Sequence, residues 1–175
     1  MSGQAATVVA GFVIPSVSPW FLAGVAVHVA AGIVCVIAGA VAMLSRKGRG
    51  RHSMFGSVYY GALSVVFVTA VGLALVRWEE DYPLFLFALG AFTAASLGRS
   101  AMRRRVPGAA RWHITGMGTS YILLLTAFYV DNGPQLPVWK DLPPIAYWTV
   151  PAAVGLPVLV YALLRHPLAR RGALT

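Results

Sequence analysis

Acidic residues are scarce. Five of the 175 residues are Asp or Glu, against 14 Lys and Arg, and charges of both signs make up only 11% of the chain. A soluble domain carries about 25% charged residues, so an ordinary water-facing surface is excluded. Cysteine is rarer still: Cys35 stands alone, which excludes an intrachain disulfide and any Cys-x-x-Cys site. It is expected to pack as a small hydrophobe. Glycine-rich nucleotide loops and the Gly-x-Ser-x-Gly elbow are missing too. No basic residue precedes Arg46, so the n-region of a cleavable signal peptide is lacking. Residues 5–14 are apolar but too short to span a bilayer, and Pro15 and Pro19 follow. Residues 1–19 are therefore expected to form an interfacial arm.

Long apolar runs take the place of charge. The chain is 58% hydrophobic with mean hydropathy +0.73. Five runs, about 20–44, 54–77, 82–102, 113–131 and 145–165, approach or exceed the ~20 residues that a helix needs to cross a bilayer. Barrel strands would be shorter and alternating. The expected fold is all-α, a membrane bundle of about five helices over 20–165 with a basic tail over 166–175. Segments 45–53, 103–111 and 165–175 hold, with Arg99 just before the second, twelve of the 14 Lys and Arg. The opposite loops, 78–82 and 132–144, hold four of the five acids, and Asp131 lies at their edge. This asymmetry puts the basic loops and the C-terminus in the cytoplasm and the N-terminus outside, as in a plasma (inner) membrane. Trp20, Trp78, Tyr82, Trp139, Tyr147 and Trp148 fall at the outer ends as an aromatic belt. Basic clusters placed between spans suit anionic headgroups rather than nucleic acid.

Small residues recur at helical spacing, which allows close approach of helices in lipid. Helix one carries Ala31, Gly32, Cys35, Ala38, Gly39 and Ala42. Helix two carries Gly56, Ser57, Tyr60, Gly61 and Ser64, and helix three Ala91, Ala94, Ala95 and Gly98. Helices one to four are expected to pack through these faces, with helix five peripheral and kinked at Pro151 and Pro157.

Histidine is the side chain here that joins metal ligation to titration near neutrality. His52 and His113 open helices two and four at the same cytoplasmic depth. Glycine follows each within a turn, Gly56 and Gly116, and would leave room for a flat macrocycle. Arginine precedes each, Arg51 and Arg111, as partners for haem propionates would. Axial histidines on facing helices are one way to hold haem b. The alternative is that both histidines cap helix ends and meet lipid phosphate. His28 lies inside helix one, where an ionisable residue is costly and a functional candidate. His166 closes helix five before Pro167.

The segments HVAAG (28–32), RHSMFGSVYY (51–60) and RWHITGMGTSY (111–121) resemble a family of uncharacterised predicted bacterial membrane proteins. Its pattern is matched by His28, Gly32, His52, Gly56, Tyr59 and His113, over about residues 24–130. That resemblance implies a membrane helix fold and no particular activity. More loosely, the chain is similar to ascorbate-reducible transmembrane cytochromes b, which hold two haems in a four-helix core. This likeness implies a cytoplasmic haem on His52 and His113, and one outer-haem ligand in His28. Residues 83–93, where the second outer ligand belongs, contain no histidine.

At the outer end of helix four, Tyr129, Asp131 and Asn132, with Trp139, Lys140 and Asp141, either form a small polar pocket or simply end the helix in an Asn-Gly-Pro turn. Glu79, Glu80 and Asp81 read as a solvated loop. Three functions remain in view. The first is haem b-mediated electron transfer with a redox or quinone partner. The second is a haem-free transport, sensing or accessory subunit. The third is a membrane-embedded enzyme acting on a lipid or quinone, by acid–base histidines or a non-haem metal. The orientation is directly testable. Single cysteines placed at residues 46–51 and 103–110 should label only from the cytoplasmic side, and labelling of residue 80 or 136 from that side would overturn the topology.

Overall fold

The computed structural model describes residues 7–9, 12–14, 18–48 and 50–165. Five helices dominate: α1 (Pro19–Leu44), α2 (Arg51–Val76), α3 (Trp78–Arg104), α4 (Ala109–Asn132) and α5 (Ile145–Arg165). Each is long and apolar enough to cross a membrane, which makes this an integral membrane protein. A bilayer offers no water to backbone N–H and C=O groups, so helices that satisfy their own backbone are the natural spanning form. The expected basic tail, His166, Arg49 and most of the N-terminal arm lie outside the described residues. Within that arm, strands β1 (Thr7–Val9) and β2 (Phe12–Ile14) pair antiparallel, with Val8 opposite Val13.

The helices outrun the apolar runs. α2 starts at Arg51 and α3 at Trp78, because interfacial polar residues continue the helix beyond the hydrocarbon. Only Arg77 separates α2 from α3. The expected loop at 78–82 is therefore the first turn of α3, where Glu79, Glu80 and Asp81 face the positive end of the helix dipole. Arg77 reaches back to them, its Nε 3.3 Å from Glu80 and Nη1 4.0 Å from Asp81. The three acids thus begin a helix, with Glu80 and Asp81 paired to Arg77, and are not a loop. Gly50 (φ 109°) leads into α2 and Gly108 (φ 68°) into α4, in backbone conformations that suit glycine. Arg105 (φ 54°) takes the left-handed position after α3, and Val106 N–H closes the turn on the Ala101 carbonyl at 3.3 Å.

Two compact units divide the chain within α3. One runs up to Phe85 and includes Gln135–Pro137; the other holds Leu86–Pro134 and residues from Val138 onward. In the first, α1 and α2 form an antiparallel hairpin whose facing positions are Gly24 and Leu73, His28 and Thr69, Cys35 and Tyr59, and Ala42 and His52. α1 buries the expected small stripe at Cys35, Ala38, Gly39 and Ala42. α2 does not follow expectation. It buries Tyr59, Ala62, Leu63, Val66 and Ala74, whereas a Cβ added at Gly56 or Gly61 would meet nothing within 4 Å. Large residues fill the seam because α1 supplies the small ones.

In the second unit α3 and α4 cross backbone to backbone. A Cβ at Gly116 would collide with the Ala94 carbonyl and lie 2.9 Å from Gly98 Cα. The α3 stripe Ala91, Ala95, Gly98 and Ala101 is buried, close to the expected face. Helix α5 runs unbroken through Pro151 and Pro157 and is knitted into α4: Leu159 fills the notch at Gly118, and Ile122 that at Gly155. Helix α5, expected to be peripheral, is therefore packed against α4. Each helix supplies one glycine to the contact, Gly118 on α4 and Gly155 on α5.

These notches predict an ordering of glycine substitutions. Gly116→Ala should destabilise the protein by about 1–3 kcal/mol or more, since the opposing atoms are backbone and cannot yield. Gly61→Ala should be neutral or slightly stabilising, because an open helical glycine gains from a methyl group. Melting in detergent checks both, and equal melting of the two variants would refute the crossing.

Candidate functional site

His52 is the second residue of α2, half-buried, with Nδ1 2.9 Å from the Ala42 carbonyl of α1. That carbonyl belongs to the last turn of α1, where the final C=O groups have no partner within the helix. The loop supplies several. Ser45 binds the Val41 carbonyl through its N–H and hydroxyl, and Lys47 Nζ reaches the Ala42 carbonyl at 3.4 Å and the Met43 carbonyl. Partial burial against this helix end pushes the Lys47 ammonium below its ordinary pKa. Arg51, immediately before His52, is exposed.

His113 repeats this arrangement in the second unit. It lies in the first turns of α4, half-buried, with Nδ1 3.3 Å from the Gly98 carbonyl of α3. Close approach at Gly98 and Gly116 is what brings the ring within reach. Arg111 is exposed beside it. In both histidines Nδ1 meets a carbonyl, which can only accept. Nδ1 therefore carries the hydrogen, and in the neutral ring Nε2 carries the lone pair.

The two following glycines differ. The space beside Gly56 is open, but that of Gly116 is taken by the α3 backbone. Gly116 accordingly serves helix packing, and the expectation that it leaves room for a macrocycle is not met. The tight Gly98–Gly116 contact needed both helices to be seen, since either glycine alone is ambiguous.

His28 lies nine residues into α1 from Pro19. Its Nδ1 is 2.8 Å from Thr69 Oγ1, and that hydroxyl donates to carbonyls of its own helix, Val65 at 2.8 Å or Val66 at 3.0 Å. The direction of the His28–Thr69 bond follows the tautomer of the imidazole. Counting 1.5 Å per residue from His28 to Ala42 separates this site from His52 by roughly 21 Å along α1. Thr69 carried no signal in the sequence; only the hairpin register brings it opposite His28.

The cluster at the C-terminal end of α4 is aromatic more than polar. Tyr129 stacks on Trp139 with ring centroids 3.9 Å apart, and Tyr147 donates from its hydroxyl to the Trp139 carbonyl at 3.2 Å. Asn132 donates to the Phe128 carbonyl and to Asp131 Oδ2, 3.0 and 3.1 Å away, on an exposed surface. Tyr147 also covers Gly133, where a Cβ would lie 2.8 Å from its ring. This locks the helix end and its following turn in place.

Among the described residues no group of three or more His, Cys, Asp and Glu is arranged to hold a metal ion. Compared with models of known protein families, with curated protein sequences and with solved structures, the chain matches none.

Proposed function

We propose that this integral membrane protein carries electrons through a haem b near the cytoplasmic face of the inner membrane, a group that His52 and His113 would hold. The observation that supports the reading is the pair of Nδ1–H···O=C bonds to Ala42 and Gly98. A metal-ligating histidine is characteristically oriented by such a bond, which fixes the tautomer and leaves Nε2 basic. The residues fit the group on this point, and the exposed guanidinium groups of Arg51 and Arg111 suit its propionates. Haem would supply a one-electron couple. The chain's own part is to hold two imidazoles in one tautomer and to meet carboxylates at the interface. Anionic headgroups around the basic loops and a redox or quinone partner complete the reading.

A haem-free transport, sensing or accessory subunit is the second reading, and the polar His28–Thr69 pair inside the first hairpin is what favours it.

The visible spectrum separates them. Protein purified after expression with ample haem should show a low-spin Soret band and sharp reduced α and β bands. His52→Ala and His113→Ala should each give five-coordinate iron or lose haem, Met54 and Met117 being the thioethers within about one turn of them on their own helices. His28→Ala should leave the spectrum unchanged. Replacing Arg51 and Arg111 together should loosen the haem and shift its potential. Colourless protein without iron would overturn the reading.

A further inference from the structure

His52 and His113 each donate from Nδ1 to a carbonyl, but the two carbonyls differ in what else they hold. That of Gly98 lies inside α3, where the ladder of its own helix already supplies an N–H. That of Ala42 belongs to the last turn of α1, which ends at Leu44, and so lies beyond the ladder. Two side chains share it instead, the His52 ring at 2.9 Å and the Lys47 ammonium at 3.4 Å. Lys47 Nζ also donates to the Met43 carbonyl, which keeps the ammonium at this helix end. The negative end of the α1 dipole favours a cation there.

We infer that Lys47 is a positioning residue for His52, one that sets through the shared Ala42 carbonyl how much electron density the imidazole offers at Nε2. The inference rests on the haem reading and deepens it. A carbonyl bound to Nδ1–H makes Nε2 the more basic, which is how an outer partner strengthens a ligating histidine. An ammonium on the same oxygen draws off part of the density that Nδ1–H would otherwise receive. Its charge also opposes positive charge at the iron. Both effects have one sign: with Lys47 in place, His52 is the poorer donor, the ferric state is less favoured and the potential stands higher. Arg46, an exposed cation on the same loop, exerts only the Coulomb effect, and that through water and salt.

Redox titration of the haem-loaded full chain in phosphatidylcholine nanodiscs tests the assignment. Lys47→Met should lower the equilibrium constant for reduction about tenfold, a fall of about 59 mV for one electron, with the low-spin spectrum retained. Lys47→Arg should stay close to wild type. Arg46→Met, an equal change of charge, should move the potential far less. A residue that only capped α1 would behave otherwise, since Lys47→Met would then lower the melting temperature and leave the potential where it was. An unmoved or raised potential in Lys47→Met, loss of haem from that variant, an equal shift in Lys47→Arg, or an equal shift in Arg46→Met would each overturn the inference and leave the haem reading standing. Colourless wild-type protein would overturn both.

Discussion

Backbone hydrogen bonding in a solvent without water governs this molecule. Once every residue from Pro19 to Leu44 or Arg51 to Val76 is helical, polar side chains have few partners except carbonyls. The hydroxyls accordingly fold back on their own helices: Ser64 to Tyr60, Thr69 to Val65, Thr126 to Ile122 and Thr149 to Ile145, all within 2.8–2.9 Å. Histidine is long enough to do otherwise. His28, His52 and His113 each reach across to a neighbouring helix, and each is thereby fixed in orientation. The same bond that ties two helices together also decides which nitrogen faces outward, so structure and chemistry share one interaction.

Glycine shows why a pattern on one helix is incomplete information. Gly39 and Gly98 were legible as packing positions because small neighbours extended their stripes. Gly61 looked the same in sequence and is open, since α2 presents Tyr59, Leu63 and Val66 to α1 instead. Gly116, Gly118 and Gly155 had no stripe around them, yet they hold the second unit together. Whether a glycine is a notch depends on what lies opposite, and that is a property of register between helices.

The five spans and their approximate ends were legible because hydrophobic length and loop charge are local quantities. His28, His52 and His113 were legible as chemically exceptional for the same reason. Their partners were not. Thr69 lies 41 residues from His28, and the Ala42 and Gly98 carbonyls carry no side-chain signature. The acidic run at 79–81 resembles a loop in sequence because charges beside tryptophan carry no helix signal, whereas one residue, Arg77, suffices to turn the chain.

The contacts of the first hairpin bear on how the protein is made. Gly24 with Leu73, His28 with Thr69, Cys35 with Tyr59 and Ala42 with His52 all lie within one continuous stretch of chain ending before α3. Closing it requires only the short loop after α1 to turn. During synthesis, when N-terminal segments emerge first, this pair of helices can enter the bilayer with its interior imidazole already matched to a hydroxyl. A costly polar group in α1 is thereby provided for by the next segment to arrive, and the membrane never needs to shelter it alone for longer than the translation of α2.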